Sequence, residues 1–290
     1  MLLMSYLPRL ADANLNRLLA DFPAVLITGP RASGKTTTAA RHAGSVLRLD
    51  EPGIAAIAQA NPDAVIRGLA EPVLVDEWQL APSILGAIKR SVDDLESRPA
   101  GRYLVTGSVH GDMENPTWPG TGRLIHFSMT SLTVRELHGR DLRQPPFLDR
   151  VAQHGAAGIT VPAGPRLDLR DYVALAAHGG FPDAATKESE RSVRDWVSSY
   201  LEQIFTRDVA GTASGRDPLR LRRYFEAYAL NTAGVTTDMK IAASADIDRK
   251  TASAYERLLE NLFLIESVPA WYTNRLKRLT KGSEAICRRL

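Results

Sequence analysis

The sequence contains very little cysteine, with one residue of this type, Cys287, in 290. A single thiol excludes an internal disulfide framework and a zinc site built from several cysteines, and it is typical of a reducing compartment such as the cytosol. Long hydrophobic runs are also missing, because no apolar stretch reaches the roughly 18 residues that a transmembrane helix requires. The first residues lack the positively charged start of a secretory signal. We therefore expect a cytoplasmic protein with no membrane partner.

A strong charge imbalance is absent as well: the formal net charge is +3, although the isoelectric point is about 9.0. Arginines are concentrated in the second half of the chain, notably at 216–223 and 275–289. This asymmetry permits binding to nucleic acid without establishing it. Hydrophobic residues make up 44% and charged residues 24%, which is ordinary for a globular chain, and the length favours two domains.

What the sequence does contain is a glycine-punctuated loop between an apolar run and a stretch of helix formers. The loop matches the phosphate-binding pattern G-x-x-x-x-G-K-[ST], and its residues are Gly29, Pro30, Arg31, Ala32, Ser33, Gly34, Lys35, Thr36 and Thr37. We predict a buried strand at 24–27 and a helix at 36–42. Glycine lets backbone N–H groups turn inward around phosphate, Lys35 would contact the β- and γ-phosphates of ATP, and Thr36 would bind Mg²⁺. The alternative is a glycine-rich turn without a ligand.

A second motif is the apolar run at 72–75, which ends in two adjacent carboxylates, Asp76 and Glu77. Ligands of open α/β sheets bind at the carboxyl ends of the strands, where this pair would lie. We predict that Asp76 holds Mg²⁺ and that Glu77 activates the water that attacks the γ-phosphate, as in the Walker B motif of ATPases. Without the preceding loop, such a run would indicate no more than the end of a strand.

Four further residues are candidates with weaker support. A predicted strand at 102–108 ends in hydroxyl side chains, and Thr106 or Ser108 would sense the γ-phosphate unless they belong to a turn rich in serine and threonine. Arg123 begins another strand and would meet phosphate, in the manner of an arginine finger from a neighbouring subunit of a homo-oligomer, or remain a surface residue. Arg9 precedes the loop and is within reach of a nucleotide, although a solvated side chain is the favoured interpretation.

The order of elements predicts an α/β fold, with a parallel sheet covered on both faces and a helical region after it. The predicted ranges are an ATPase domain at 1–140, a linker at 141–167, a helical segment at 168–216, a winged-helix-like domain at 217–271 and a tail at 272–290. In the winged helix-turn-helix, Asp248 would cap the second helix, and Arg249, Lys250 and Arg257 would contact duplex DNA. Winged helices also serve as packing modules, so DNA contact stays one of two interpretations.

Four segments together resemble a known prokaryotic family, the AAA-type ATPases that carry a C-terminal domain of unknown function. The segments are Gly29-Pro30-Arg31 with Gly34-Lys35-Thr36, Val75-Asp76-Glu77-Trp78-Gln79, Leu104-Val105-Thr106-Gly107-Ser108 and Gly179-Gly180-Phe181-Pro182. The resemblance covers nearly the whole chain and implies an AAA-like P-loop NTPase core, a winged helix, and ATP with Mg²⁺ as ligands. Trp78 departs from the family, which often has an aliphatic residue there. Similar proteins continue into a nuclease-like domain, so we expect 272–290 to be a disordered tail left by truncation.

These observations favour a Mg²⁺-dependent ATPase of the AAA type whose output is a conformational change. A module that binds DNA or protein under the control of nucleotide, with little hydrolysis, is the alternative. A small-molecule kinase fits less well, because Glu77 directly follows the predicted Mg²⁺ ligand, which suits activation of water.

Overall fold

The computed structural model describes residues 6–94, 99–107, 122–139, 142, 144–159, 167–208, 217–232, 238–269 and 283–287. Five strands form a parallel sheet in the order β2-β3-β4-β1-β5. The strands are β1 (Ala24–Thr28), β2 (Ser45–Arg48), β3 (Val73–Asp76), β4 (Tyr103–Gly107) and β5 (Leu124–Ser128). The predicted parallel sheet is therefore confirmed, and its carboxyl edge gathers the ends of β1, β3 and β4.

The sheet is covered on both faces because successive residues of a strand point to opposite sides. On one face, Ala24 and Leu26 of β1 pack with the helices that follow β2 and β3. On the other face, Val25 and Ile27 pack with the helices that flank β1. The helices of this half are α1 (Leu10–Asp21), α2 (Lys35–Ala40), α3 (Pro52–Ala60), α4 (Pro62–Ile66), α5 (Ser83–Asp93) and α6 (Val134–Leu137).

The second half is mainly helical and has its own hydrophobic core. Its elements are α7 (Phe147–His154), α8 (Leu169–His178), α9 (Pro182–Ala185), α10 (Glu190–Gln203), a π-helical turn (Ile204–Asp208), α11 (Pro218–Leu230), α12 (Asp238–Ser244), α13 (Arg249–Asn261), β6 (Ile265–Pro269) and β7 (Ser283–Cys287). Buried aromatic residues contribute to this core, including Phe205, Tyr224 and Tyr255. Within the described ranges, the chain has no helix with the length and apolar character of a membrane span.

Two predicted ranges need correction. The proposed linker at 141–167 contains α7, which begins after Pro146 and buries none of its residues. The prolines and glycines on either side of this short helix are typical of a linker, so the sequence did not indicate a helix here. The proposed tail at 272–290 contains β7, which pairs antiparallel with β6 so that Cys287 lies opposite Ile265. Pairing with β6 explains why these residues form a strand, because β6 alone would leave a row of backbone donors and acceptors without partners. The rest of the predicted tail lies outside the described residues.

Candidate functional site

The loop after β1 has positive φ angles at Gly29, Ala32 and Gly34. Gly29 has φ 155°, and a Cβ added there would lie 2.0 Å from the carbonyl oxygen of Met129. Gly34 has φ 90° and precedes α2, and Ala32 is also left-handed at φ 58°. These conformations let the chain fold back on itself at the carboxyl edge of the sheet. The helix that follows begins at Lys35, one residue earlier than predicted, and leaves Thr37 exposed.

Lys35 is buried beneath this loop. Its ammonium group donates hydrogen bonds to the carbonyl oxygens of Gly29 at 3.0 Å and Pro30 at 2.8 Å. Burial disfavours the charged form and lowers the pKa of Lys35 to about 8, although the Glu77 carboxylate opposes this shift. Because its two hydrogen-bond partners here are neutral carbonyls, the ammonium carries positive charge that an anion would compensate.

Three side chains meet beside Lys35 at the ends of α2, β3 and β4. The hydroxyl of Thr36 donates to Oδ1 of Asp76 at 2.8 Å. The hydroxyl of Thr106 donates to the same carboxylate oxygen, and both Asp76 and Thr106 are buried. The neighbouring positions of β3 and β4 in the sheet make this meeting possible. The structure thus brings together Lys35, Thr36, Asp76 and Thr106.

Glu77 directly follows β3 and has an unusual backbone. Its φ of 57° and ψ of 52° place it in the left-handed region, which is uncommon for a residue other than glycine and recurs at functional sites. The side-chain amide of Gln79 donates a hydrogen bond to the Glu77 carboxylate. A Cβ added at Gly107 would lie 2.5 Å from Nε1 of Trp78 and 2.8 Å from Oε1 of Gln79. The turn that carries Glu77 therefore packs closely against the end of β4.

Arg123 is not brought to this cluster, which corrects its predicted contact with a nucleotide in the same chain. It precedes β5, whose first residue, Leu124, lies level with Ala24 at the start of β1. The P-loop lies beyond the other end of β1, and Arg123 instead forms an ion pair with Asp93, with Nε and Oδ1 2.9 Å apart. A contact with a neighbouring subunit stays a prediction. Ser108 lies outside the described residues.

Arg9 is a member of the site that sequence reasoning placed in solvent. Its side chain is buried, and it donates to the carbonyl oxygen of Ser33 at 2.9 Å and to that of Thr130 at 2.8 Å. It also forms an ion pair with Glu136 at 3.0 Å. The capping box formed by Thr133 and Glu136 at the start of α6 was a readable signal, but nothing local linked it to Arg9.

The helical half of the chain also reaches the loop. The hydroxyl of Tyr200 in α10 donates to the carbonyl oxygen of Arg31 at 3.3 Å. Pro182 lies 3.7 Å from the point where a Cβ at Gly34 would be. The backbone N–H of Leu132 donates to the carbonyl oxygen of Gly180 at 2.6 Å. Segment 179–182 and Tyr200 therefore line the outer side of the P-loop.

Comparisons with known proteins also divide the chain into a sheet-containing half and a helical half. Residues 21–138 match a family model described as an AAA domain, and residues 169–285 match a domain of unknown function, DUF8612. The uncharacterized proteins Rv2008c of Mycobacterium tuberculosis and Mb2031c of Mycobacterium bovis are each 26% identical over 284 residues. That alignment covers 96% of this chain but only 57% of the length of these relatives.

A Walker-type ATPase of Pyrococcus abyssi has a similar fold, with a TM-score of 0.50 and 14% identity over 90% of this chain and 91% of the other. This likeness in fold extends over the helical half as well as the sheet. The chain therefore combines an AAA domain at residues 21–138 with a C-terminal domain of unknown function at residues 169–285, as the sequence resemblance implies.

Proposed function

We propose that this chain binds ATP together with Mg²⁺ and hydrolyses it. The observation that carries the proposal is the meeting of the Thr36 hydroxyl and the Asp76 carboxylate, 2.8 Å apart, beside the buried ammonium of Lys35. A hydroxyl and a carboxylate at the end of a P-loop form the oxygen pair that holds Mg²⁺ in P-loop NTPases. The AAA domain matched at 21–138 supports nucleotide binding independently of this geometry.

The residues present fit these ligands. Ser33 Oγ is buried and has no hydrogen-bond partner among the described residues, so this polar group suits a ligand atom in the loop. Lys35 offers a desolvated positive charge for phosphate. Mg²⁺ prefers oxygen ligands and is usually held by one or two carboxylates together with substrate phosphates, which matches Asp76 and Thr36.

Each side chain has a distinct role in the proposed reaction. Lys35 binds the β- and γ-phosphates, and Glu77 accepts a proton from the attacking water. Asp76 and Thr36 would hold Mg²⁺, which when bound neutralises charge on the phosphate oxygens. Thr106 orients the Asp76 carboxylate through its hydrogen bond. The amide of Gln79 orients the Glu77 carboxylate in the same way.

The test is ATP binding and turnover by the wild type, Lys35→Ala and Glu77→Gln. We expect Lys35→Ala to abolish binding, because it removes the charge opposite the phosphates. Glu77→Gln should keep binding but lower the hydrolysis rate on the order of 10², the usual scale for losing a general base. Glu71→Gln is the matched control, since Glu71 precedes β3 at the opposite edge of the sheet. Equal nucleotide affinity in Lys35→Ala and wild type would contradict the proposal.

A second candidate is a nucleotide-controlled module that binds duplex DNA. It is favoured by α13, where Arg249, Lys250 and Arg257 are exposed while the opposite face is buried. The succession of α11, α12, α13 and a two-stranded sheet supports a winged helix, in which the second helix of the helix-turn-helix enters the major groove. Coupling to the nucleotide would run through the ring contact of Phe205 with Phe225, which joins the π-helical turn at the end of α10 to α11.

Measuring ATP turnover with and without duplex DNA, across salt concentrations, distinguishes the two candidates. DNA stimulation that fades as salt rises would support phosphate contacts by α13. Alanine at Arg249, Lys250 and Arg257 should then remove the stimulation, whereas alanine at the exposed Arg191 and Arg194 of α10 should leave it intact. A Glu77→Gln rate equal to that of the wild type would favour the binding module over the ATPase.

A further inference from the structure

The carbonyl groups of the P-loop are held from three sides. Lys35 binds the carbonyl oxygens of Gly29 and Pro30 from within the loop. From outside, Tyr200 binds the carbonyl oxygen of Arg31, and Arg9 binds that of Ser33. In a planar trans peptide unit, the C=O and the following N–H point in opposite directions. Holding the Arg31 and Ser33 carbonyls outward therefore turns the N–H groups of Ala32 and Gly34 inward, where a P-loop binds phosphate.

The side chain of Arg9 is itself held in place by a well-anchored partner. Its partner Glu136 is only 2% exposed and accepts hydrogen bonds from the backbone N–H groups of Leu10 and Thr133, both at 2.7 Å. The Thr133 hydroxyl adds another at 2.9 Å. Replacing a buried ion pair by apolar residues is often neutral or stabilising, so stability alone explains such a pair poorly. Its geometric effect here is to aim a rigid guanidinium at the loop backbone.

Tyr200, which binds the Arg31 carbonyl, belongs to the domain of unknown function. Its ring is stacked on Trp196 at a centroid distance of 5.1 Å and contacts Phe181 at 4.9 Å. These contacts fix the ring, so the hydroxyl can reach Arg31 without the loss of much side-chain freedom. The Gly179-Gly180-Phe181-Pro182 segment thus supports the residue that touches the loop.

We propose that Arg9 and Tyr200 are positioning residues for phosphate binding, and that the domain of unknown function completes the nucleotide site through Tyr200. The proposal rests on the proposed function, because it assumes that the loop binds nucleotide. It assigns the two residues no contact with ATP itself. Their effect is to organise the backbone donors of the loop before the ligand arrives.

The test compares Tyr200→Phe and Arg9→Lys with two matched controls in the full chain. Tyr255 is a buried tyrosine of the same domain whose hydroxyl donates to the Asp217 carbonyl at 3.5 Å, far along the chain from the loop. Arg102 is a buried arginine that binds the Ser91 carbonyl at 2.6 Å and pairs with Glu71. Tyr255→Phe and Arg102→Lys therefore remove comparable contacts elsewhere. Affinity for a fluorescent ATP analogue with Mg²⁺, KM, kcat and the nucleotide-free Tm are measured for all four.

We expect Tyr200→Phe to weaken nucleotide affinity by about two- to tenfold, the effect of one neutral hydrogen bond. Arg9→Lys should weaken it by about tenfold or more, because a lysine cannot reproduce the forked contacts of a guanidinium. Both variants should raise KM more than they lower kcat. The two controls should leave affinity unchanged, even where they lower the Tm by as much. Tyr200→Phe keeps the ring and its packing, so it remains informative if Arg9→Lys folds poorly.

Other outcomes overturn the proposal. Unchanged affinity in Tyr200→Phe and Arg9→Lys, with binding still lost in Lys35→Ala, would overturn the positioning role and leave the proposed function intact. Equal losses of affinity in the controls would assign Arg9 and Tyr200 a structural role only. A wild-type chain that binds no ATP would overturn the proposed function, and the positioning role with it.

Discussion

Burial of Lys35 lowers the pKa of its ammonium group, and nucleotide binding should therefore be coupled to proton uptake. Its pKa is lowered to about 8, so in the free protein about half of the Lys35 side chains are uncharged at pH 8. A bound phosphate favours the charged form and raises the pKa again. Binding Mg·ATP at pH 8 should therefore take up about half a proton, and little at pH 7.

Calorimetry in two buffers of different ionisation enthalpy measures this uptake directly. The pH 7 titration is the internal control, because most Lys35 side chains are already protonated one pH unit below a pKa of about 8. Identical proton uptake at pH 7 and pH 8 would show that the ammonium does not face the bound phosphates.

The surroundings of Gly29 leave no room for a side chain. Alanine there would bring its Cβ within 2.0 Å of the Met129 carbonyl oxygen at a φ of 155°. We expect Gly29→Ala to lower the free energy of unfolding by more than about 1 kcal/mol, as measured by urea denaturation. Gly53, in α3, is the control, because a Cβ added there would have no described atom within 4 Å. Gly53→Ala should be neutral or stabilising, and a Gly29→Ala variant as stable as Gly53→Ala would contradict the crowding argument.

At the scale of elements, the junction between the two halves depends on one close backbone contact. Gly180 accepts a hydrogen bond from Leu132, and a Cβ on Gly180 would lie 2.3 Å from the Leu132 carbonyl oxygen. We expect Gly180→Ala to separate segment 179–182 from the loop after β5, lowering both the Tm and the nucleotide affinity.

Gly86 offers the matched control for this substitution. It lies inside α5, where an added Cβ would come no closer than 3.4 Å to the Arg90 guanidinium, and alanine is the better helix former. Thermal unfolding of both variants checks the expectation. A Gly180→Ala protein with the Tm and affinity of the wild type would show that the junction is not sensitive to this contact.

The elements that the sequence predicted well are those whose signals are local. β1, β3 and β4 are short apolar runs, and the P-loop motif predicted both its place after β1 and its conformation. Arg9 and Tyr200 were beyond such reasoning, because their partners in the loop lie 24 and 169 positions away in the chain. The strand β7 was missed for another reason: its own residues carry no distinctive pattern, and it forms a strand through its pairing with β6.

At the scale of the whole molecule, nucleotide binding should be felt in the helical half. Tyr200 contacts the loop from α10, so a ligand that rigidifies the loop should slow backbone amide exchange in α10 as well. Hydrogen exchange with and without Mg·ATP measures this. α7 buries none of its residues and serves as the reference, with no expected change. Protection confined to the P-loop and its flanking strands would show that the two halves respond independently.

The distant partners of the P-loop also bear on how the protein is made. Arg9 leaves the ribosome well before its anchor Glu136, which follows 127 positions later. Tyr200 emerges 169 positions after Arg31, which at a synthesis rate of about 5–20 residues per second is a delay of roughly ten to thirty seconds. During synthesis, the P-loop is therefore made before Glu136, which anchors Arg9, and before Tyr200. For this period neither contact with the P-loop carbonyl groups is established. Nucleotide affinity should rise in steps as translation proceeds, reaching its final value only when the second domain has emerged.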